Sequence, residues 1–337
     1  MMPTEPILNV EALEVQYDTS SGPARAVNQV SFSLRPGERL GLIGESGSGK
    51  TTIATALLRL TRAPGRITGG KVWLGGRDLM TLSLRDLRAV RLRDIAMIPQ
   101  GAMSALNPVL RIHVQIADAI DAHEPGISRA AIAARIATLL TRVGLDPSVA
   151  ARYPHDLSGG MKQRTVMAIA TSLSPMVIVA DEPTSALDVV VQRQVMQTLG
   201  RLQSGIGAAV VLIGHDMGLI AQFADTVGVM YAGRLVEIGP VASMIAASRH
   251  PYTRLLIDSL PGIDVKRHLT GIPGLPSRLS DMPPGCAFAP RCPLAHAACT
   301  QAVPVLQSLG PDHSVACHLY PAAATLPPMT VRPKAAR

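Results

Sequence analysis

The residue types with the clearest chemistry lie in one short string near the start of the chain. Positions 44 to 51 read GESGSGKT, which is the G-x-x-x-x-G-K-[ST] pattern of a phosphate-binding loop. In such a loop consecutive backbone N–H groups surround the phosphates, a lysine reaches the β- and γ-oxygens, and a hydroxyl can bind Mg²⁺. The candidate nucleotide ligands are Gly44, Glu45, Ser46, Gly47, Ser48, Gly49, Lys50, Thr51 and Thr52, with Lys50 also catalytic and Thr51 also a magnesium ligand.

The segments on either side of this string favour the strand and the helix that must position it. Residues 39–43 form a short apolar run of the buried-strand type. After the string, apolar residues recur at the i, i+3, i+4, i+7 spacing that marks one face of a helix. They are Ile53, Ala56, Leu57 and Leu60. The phosphates would therefore meet a helix N-terminus, which favours anions. This context predicts that the chain binds ATP or GTP.

Two further strand-like runs end in polar side chains. Gln100 closes the apolar run 95–99, and its amide could contact both Mg²⁺ and an attacking water. Asp181 and Glu182 follow the apolar run 176–180. Ligands of open α/β sheets lie at the carboxyl ends of parallel strands, so Asp181 suits the magnesium shell and Glu182 suits the polarisation of a water. Taken singly, each could equally be an ordinary strand-end polar group or a solvated turn.

Two more motifs follow the same order along the chain. Residues 157–163 read LSGGMKQ and open a predicted helix with a hydroxyl and two glycines, another N-terminus suited to an anion. His215 follows the apolar run 208–213. An isolated S-G-G is most often a helix cap, and a lone histidine is most often a satisfied structural residue. The ordered combination of all the motifs favours function over these separate explanations.

This order and spacing closely resemble those of the ATP-binding cassette (ABC) ATPases across residues 7–250. One departure is Met161, where the commonest signature has Gln. The resemblance implies an α/β P-loop fold with a RecA-like core, an antiparallel β subdomain over residues 7–43 and an α-helical subdomain at about 101–164. A substrate kinase is a weaker alternative, because Ser158, Gly160 and His215 would have no purpose in it.

The resemblance also implies a role for each motif residue. ATP would lie between the phosphate loop of one subunit and the signature helix of another, so that Ser158 and Gly160 would contact the ATP of the neighbouring subunit. Tyr17, in a predicted strand, is a candidate to stack on adenine, although such an aromatic is a core residue about as often. The implied catalytic residues are Glu182 as general base, His215 on the γ-phosphate, Gln100 and Lys50, and the implied Mg²⁺ ligands are Thr51, Gln100 and Asp181.

Shorter strings narrow the family. Those at 103–108, 153–157, 230–233, 250–253 and 285–293 look like the ATPase subunits of bacterial oligopeptide/dipeptide importers. The resemblance implies ATP-driven import of peptides, with a second ATPase subunit or a second copy, two permease subunits and an extracytoplasmic binding protein as partners. Nickel and glycoconjugate importers share these strings, so the cargo stays open. A non-transport ABC ATPase, the rival from another class, would be expected to carry a coiled-coil insert, a second cassette or a basic arm.

Composition bears on the location and the partners. The formal net charge is +8, but no basic cluster is interleaved with aromatic residues, so no nucleic-acid partner is expected. The uncharged stretch 165–180 is shorter than the roughly 20 residues of a membrane-spanning helix and contains Pro175. The N-terminus does not resemble a secretion signal. These features favour a cytosolic protein, and the importer resemblance implies a peripheral location on the cytoplasmic face of the inner membrane.

All four cysteines of the chain lie beyond residue 285. They are Cys286, Cys292, Cys299 and Cys317. A cytosolic setting disfavours disulfides, whereas four thiolates could hold zinc or an iron–sulfur cluster. The importer resemblance implies a [4Fe–4S] cluster, with zinc or free thiols as the alternatives. The predicted domains are the cassette at 1–250, a loop-rich C-terminal domain at 251–325 that carries these cysteines, and a disordered tail at 326–337.

Overall fold

Strands and helices alternate along most of the chain in this computed structural model, which describes residues 5–259, 271–310 and 312–320. The strands are β1 (Leu8–Thr19), β2 (Gly22–Leu34), β3 (Arg39–Ile43), β4 (Gly65–Leu74), β5 (Arg77–Asp78), β6 (Ile95–Ile98), β7 (Val177–Asp181), β8 (Ala209–Ile213), β9 (Thr226–Tyr231), β10 (Arg234–Pro240), β11 (Gln307–Gly310) and β12 (His313–Val315). The α-helices are α1 (Lys50–Leu57), α2 (Leu84–Val90), α3 (Ala102–Ala105), α4 (Ile112–Asp121), α5 (Arg129–Arg142), α6 (Gly159–Ala170), α7 (Val189–Ile206), α8 (Met217–Phe223), α9 (Val241–Ala247), α10 (Pro251–Asp258) and α11 (Ala297–Gln301).

The chain divides into two units, which we call the first unit (residues 1–80 and 214–337) and the second unit (residues 81–213). In the first unit β1 pairs with β2 and β4, and β5 continues the antiparallel sheet in the order β2-β1-β4-β5. Val10 lies opposite Phe32 on one side and Val72 on the other, and all three are buried. The antiparallel sheet predicted before the phosphate loop is confirmed, and β4 and β5 extend it from beyond that loop.

A second sheet of the first unit carries the phosphate loop. Its strands run in the order β11-β12-β10-β9-β3, with β3 parallel to β9 and the other pairs antiparallel. Helix α8 packs closely on β3, because a Cβ added to Gly41 would lie 2.3 Å from the Ile220 side chain. The C-terminal strand β12 thus joins the same sheet as the strand that leads into the loop.

A buried carboxylate fixes the C-terminal elements to β10. Glu237 is 0 % exposed and accepts hydrogen bonds from the backbone N–H groups of Arg249 at 2.6 Å and His250 at 2.9 Å. His313 of β12 donates from Nε2 to the same carboxylate at 2.7 Å. Burial would raise the pKa of the Glu237 carboxyl, but hydrogen bonds from His313, Thr253 and the two backbone groups hold it below its ordinary value. Glu237 therefore remains an anion that ties β12 and the start of α10 to one strand.

The second unit contains a parallel sheet in the order β6-β7-β8 and a set of helices. Every residue of β7 and β8 is buried, which confirms the two buried parallel strands predicted from the apolar runs. Between these strands along the chain lies α7, with Val195, Leu199 and Leu202 buried and Val191 half-buried. Helices α4 and α5 bury Ile112, Ile116, Ile120, Ile132, Ile136, Leu139 and Leu140.

The predicted domain boundaries at 250 and 325 stay predictions. The predicted helical subdomain at about 101–164 also stays a prediction. Its range contains α3, α4, α5 and the start of α6. The predicted disordered tail at 326–337 lies outside the described residues, as do positions 260–270, 311 and 321–325 of the predicted C-terminal domain. Among the residues that are described, no helix has the length and apolar character needed to cross a membrane.

Candidate functional site

The phosphate loop of the first unit wraps around the Lys50 ammonium. Lys50 is 6 % exposed, and its Nζ donates to the carbonyls of Gly44 at 2.7 Å and Glu45 at 2.9 Å and to Ser48 Oγ at 3.3 Å. A lysine ammonium has three donors and no acceptor. The loop therefore holds the cation at its centre, where it can face the oxygens of a bound polyphosphate.

The glycines of the loop are required by close backbone packing. Gly44 has φ 152 and Gly49 has φ 102, and added Cβ atoms would lie 2.2 Å from the Met230 carbonyl oxygen and 2.0 Å from the Ala26 carbonyl oxygen. Gly47, with φ 78, has no atom within 4 Å of an added Cβ, so its requirement is conformational. The loop is thus pressed against neighbouring strands while its backbone curves in a way that other residues rarely adopt.

Helix α1 begins at Lys50, within the predicted string, and buries Ile53, Ala56 and Leu57 as expected. The fourth residue of the predicted apolar face, Leu60, lies beyond the end of the helix and is exposed.

The N-cap of α1 is Gly49, which has no side chain to accept from the first turn, and that turn contains no acidic residue. Thr51 is exposed and Thr52 half-buried in this turn. A helix end of this kind carries a partial positive charge that favours an anion. The sequence expectation that phosphate meets a helix N-terminus fits this geometry.

A cavity of about 370 Å³ lies beside the loop within the first unit. Its walls include loop residues and the β1–β2 turn, but also a C-terminal segment that sequence reasoning had assigned to a separate domain. The lining residues are Thr19, Ser21, Ala24, Glu45, Ser46, Gly47, Ser48, Tyr231, Ala232, Pro276, Ser277, Arg278, Leu279 and Ser280. No local signal in the sequence points to residues 276–280 as neighbours of the loop.

Tyr17 lies on β1, opposite Ala24 of β2 and Gly65 of β4. Its ring is half-buried and packs on Gly65, where an added Cβ would lie 2.7 Å from the ring. Stacking of this ring on adenine stays a prediction.

The second unit brings three predicted residues to the carboxyl ends of adjacent strands. Gln100 follows β6, Asp181 ends β7 and Glu182 comes next, and β6 and β7 are parallel neighbours. Gln100 Nε2 donates to Glu182 Oε2 at 2.9 Å, so the amide orients the carboxylate. Asp181 is 1 % exposed. This cluster of oxygen ligands suits a hard cation such as Mg²⁺ and a water awaiting deprotonation.

Glu182 adopts a left-handed backbone conformation with φ 44. Such a conformation costs an ordinary L-residue on the order of 1–2 kcal/mol. The hydrogen bond from the Glu182 backbone N–H to the Ile213 carbonyl, at 2.9 Å, holds it in place. Strain of this kind is concentrated at functional sites.

Helix α6 begins at the predicted signature motif. Ser158 is its N-cap, with Oγ accepting from the Met161 backbone N–H at 3.4 Å. Gly160 is buried, and an added Cβ would lie 2.6 Å from Val191 Cγ1 of α7. Ser158 therefore does cap a helix, as the alternative explanation of the motif held. The contact of Ser158 and Gly160 with a neighbouring subunit's ATP stays a prediction.

His215 lies two residues beyond the end of β8 and is exposed. The next residue, Asp216, caps α8 by accepting from the Leu219 backbone N–H at 3.0 Å. His215 thus stands in a short turn between a buried strand and a capped helix. Its contact with a γ-phosphate stays a prediction.

Each of the four cysteines interacts electrostatically with at least one of the others. Burial, and after it the neighbouring thiols, raises the pKa of Cys286 to about 11, and burial likewise raises the pKa values of Cys292 and Cys317. The Cys286 backbone N–H donates to the Cys299 carbonyl at 2.8 Å. Over the described residues, however, no group of three or more His, Cys, Asp or Glu side chains is arranged to hold a metal ion. The predicted iron–sulfur cluster is therefore not supported by the arrangement of these side chains.

Comparison with known proteins extends these observations. Residues 27–185 match the family model "ABC transporter", and residues 236–299 match "Oligopeptide/dipeptide transporter, C-terminal region". A "Putative peptide import ATP-binding protein" of Brucella abortus (strain 2308) is 43 % identical over 311 residues, which cover 91 % of this chain and 93 % of the relative. The chain belongs to the ABC transporter family of peptide import ATP-binding proteins.

Other members of the ABC family support the same assignment. A peptide import relative from Brucella ovis (strain ATCC 25840 / 63/290 / NCTC 10512) is 40 % identical over 94 % of this chain and 98 % of its own length. The solved dimeric structure of the ATP-binding cassette MJ0796 bound to ADP and Pi has a TM-score of 0.63 and 25 % identity over 69 % of this chain and 98 % of that one. The fold of cbiO1 from Clostridium perfringens is also similar, with a TM-score of 0.60 and 23 % identity over 72 % of this chain and 92 % of that one.

Family membership confirms the predicted α/β P-loop fold of the ABC type and an ATPase whose hydrolysis is coupled to transport. It also excludes the alternative of a substrate kinase. The residue roles, which depend on where ATP and Mg²⁺ bind, stay predictions.

Proposed function

We propose that this ABC family member binds and hydrolyses ATP to power the import of di- or oligopeptides through a membrane transporter. The observation that carries the proposal is the 43 % identity over 91 % of the chain to a peptide import ATP-binding protein, together with the match of residues 236–299 to the peptide-transporter C-terminal region. Import of nickel or another small solute by the same machinery is the alternative. No observation favours a non-transport ABC ATPase.

Hydrolysis would proceed by positioning and charge stabilisation. Thr51, Gln100 and Asp181 would hold Mg²⁺, whose charge would be available to offset that of the β- and γ-phosphates. Lys50 would contact the same oxygens. A water oxygen attacks the γ-phosphorus as the bond to the bridging oxygen of ADP breaks, and Glu182, oriented by its 2.9 Å hydrogen bond from Gln100, accepts the proton of that water. His215 would hold the γ-phosphate in line.

The cassette would act as a dimer, with a second ATPase subunit or a second copy of itself. The predicted contact surface is the N-terminus of α6, where Ser158 and two glycines present backbone N–H groups at the positive end of a 12-residue helix. The related cassette MJ0796 was solved as a dimer bound to ADP and Pi, which supports this arrangement. ATP binding would close the dimer, and hydrolysis would reopen it.

The membrane partners would be two permease subunits, supplied with cargo by an extracytoplasmic binding protein, and the cassette would lie on the cytoplasmic face of the inner membrane. Reconstitution tests this function. The chain, its second ATPase subunit and the permeases are placed in liposomes with the binding protein, and uptake of labelled di- and oligopeptides and of ⁶³Ni is measured with and without ATP. ATP-dependent peptide uptake supports the proposal. Uptake of nickel alone would favour the alternative, and ATP hydrolysis that no cargo or permease alters would overturn a transport role.

The surface next to Gln100 is predicted to bind a permease. Residues 101–108 follow β6, and within them Ala105 is exposed, as is the following Val109 at 76 %.

Ala105→Glu places a charge on this surface without filling a buried site. We expect it to reduce co-purification with the permeases and peptide uptake at least tenfold, because an unpaired charge buried in an interface costs several times the roughly 1.4 kcal/mol that a tenfold loss requires. Ala131→Glu, at an exposed position of α5, is the matched control. Lower ATP affinity with normal permease binding would contradict the assignment.

We also propose that Cys286, Cys292, Cys299 and Cys317 bind one metal centre, a [4Fe–4S] cluster or, as the alternative, zinc. Four thiols gathered in a region with little apolar core support the proposal, since a metal can supply folding energy where packing is sparse. The thiols would have to lose their protons and move into ligand positions on binding.

Metal analysis of anaerobically purified protein tests this. We expect about four irons and four acid-labile sulfides per chain, because a cubane cluster takes four thiolates. Each Cys→Ser variant should lose colour and expose the chain beyond about residue 260 to protease, while the cassette, which has no cysteine, should still bind ATP. Zinc at about one per chain would overturn the cluster but keep the four-cysteine site. Freely alkylated thiols without any metal would overturn both.

A further inference from the structure

A buried arginine forms a bidentate ion pair with the phosphate loop. It belongs to the cysteine-containing region, by which we mean the part of the chain that carries Cys286, Cys292, Cys299 and Cys317. Arg291 Nη1 lies 2.7 Å from Glu45 Oε2, and Arg291 Nη2 lies 2.9 Å from Glu45 Oε1. The arginine side chain is 5 % exposed and that of Glu45 is 24 % exposed. Two parallel charge-assisted hydrogen bonds fix both distance and orientation, and burial limits their screening by salt. The pair is therefore stronger than an ordinary surface ion pair.

Arg291 is held in place by its own surroundings. Its Nε donates to the Pro273 carbonyl at 2.8 Å, and Nη1 donates to the Tyr231 hydroxyl at 3.3 Å. The guanidinium also lies 5.9 Å from the ring centre of Tyr231 and 6.0 Å from that of Phe288. Because its donors and its faces are both engaged, the guanidinium is a rigid anchor for Glu45.

The backbone of Glu45 is fixed from a second direction. Its N–H donates to the hydroxyl of Tyr252, a fully buried residue of α10, at 2.8 Å. Helix α10 is itself anchored: burial lowers the pKa of its N-cap His250 to about 4, which leaves a neutral ring nitrogen that accepts from the Tyr252 N–H at 3.0 Å. Glu45 also offers its carbonyl to Lys50 Nζ at 2.9 Å. Glu45, the second residue of the loop, is thus hydrogen-bonded to Lys50, to α10 and to Arg291.

The charge of Glu45 gives Arg291 a second effect. Glu45 lines the cavity beside the loop, so its carboxylate would stand near the phosphates of a bound nucleotide. An anion there would repel ATP unless a cation offsets it. Arg291 supplies that cation, and residues 276–280 of the same C-terminal region form a wall of the same cavity.

We propose that Arg291 is a positioning residue for ATP binding, through which the cysteine-containing region sets the affinity of the phosphate loop. The arginine does not contact the nucleotide itself. It fixes the shape of the loop at Glu45 and neutralises that carboxylate. Because Arg291 directly precedes Cys292, changes in the folding of the cysteine region reach the loop through this pair. The inference rests on the ATP-binding part of the proposed function and not on the identity of the cargo.

The test measures the Kd of Mg·ATP by calorimetry on the full chain and four variants. We expect Arg291→Ala to weaken binding at least tenfold and Arg291→Lys to weaken it less, since lysine keeps the charge but loses the bidentate geometry. Glu45→Gln should also weaken binding, but less than Arg291→Ala does, because the bidentate pair is lost while no carboxylate is left without its cation. Glu45→Gln combined with Arg291→Ala should bind more tightly than Arg291→Ala alone, because the uncompensated carboxylate is gone. The matched control is Arg249→Ala, at an exposed arginine of the same unit.

The outcomes separate the possible explanations. Binding of ATP by Arg291→Ala within twofold of the wild type would overturn the proposal. If Arg291→Ala and the double variant with Glu45→Gln lose the same affinity, Arg291 does not act by neutralising the Glu45 carboxylate. That result would overturn the electrostatic part of the proposal and leave Arg291 with a structural role only. If Arg291→Ala does not fold, the Kd values of Arg291→Lys and Glu45→Gln are compared with that of the wild type instead. Kd values for both variants equal to that of the wild type would overturn the proposal. Failure of the wild type to bind ATP would instead overturn the proposed function.

Discussion

A Glu182→Gln variant is expected to bind ATP normally and to lose at least 100-fold in steady-state ATP turnover, the lower end of the 10²–10⁴ that a positioned general base contributes. The change keeps the size of the side chain and an oxygen that can accept the 2.9 Å hydrogen bond from Gln100 Nε2. It removes the group that can take a proton from water. ATP-bound cassettes should therefore accumulate, and phosphate release and ATP affinity measured on the same preparation would show it.

A matched control for this experiment is Glu124→Gln. Glu124 is another carboxylate of the second unit, paired with Arg135 at 2.8 Å on the surface of the helical part. Its loss should cost at most about 1 kcal/mol of stability and leave turnover unchanged. Near-wild-type hydrolysis by Glu182→Gln would remove Glu182 from the role of base, whatever the control does.

Replacement of Lys50 by alanine is expected to weaken ATP binding at least 100-fold. The ammonium lies at the centre of the loop, with Gly44 and Glu45 carbonyls within 2.9 Å. Charge-assisted hydrogen bonds are worth about 1.5–3 kcal/mol each, so losing two of those made to phosphate accounts for two orders of magnitude or more. Calorimetric titration with Mg·ATP measures the effect.

The control for the second experiment is Lys71→Ala, at an exposed lysine of the same unit that lies over the Trp73 ring at 5.5 Å. Thermal unfolding of both variants would show that the chain remains folded. An ATP affinity for Lys50→Ala within threefold of the wild type would contradict the assignment of residues 44–51 as the nucleotide site.

Local patterns in the sequence were sufficient to predict the phosphate loop, α1 and the buried strands β7 and β8. The reason is that each depends on neighbours in sequence: glycines that permit a tight loop, the 3.6-residue period of an apolar helix face, and uninterrupted apolar runs bounded by polar groups. The same holds for Gln100 and Glu182, whose positions at the ends of adjacent parallel strands follow from the strand boundaries. Fold class and the main catalytic candidates were therefore accessible without a structure.

Features that depend on distant pairing were not accessible in this way. The strand β12 is three residues long and pairs with β10, where its His313 binds Glu237 across 76 positions. Neither the contact of Arg291 with Glu45 nor the wall formed by residues 276–280 leaves a periodic or compositional signal. The cysteines show the converse: their clustering in sequence predicted their proximity, but not side-chain positions suited to a metal.

The distance along the chain between Glu45 and Arg291, 246 residues, has a consequence for biosynthesis. At about 5–20 residues per second, the phosphate loop leaves the ribosome roughly 10 to 50 seconds before its arginine has been translated. Once His215 has been translated, a nascent cassette carries every local motif for nucleotide binding but not the ion pair between Glu45 and Arg291. Chains that stall or are cleaved before residue 291 would remain in that unfinished state. High-affinity ATP binding would thus be acquired only after residue 291 has been translated, later than every local motif of the nucleotide site.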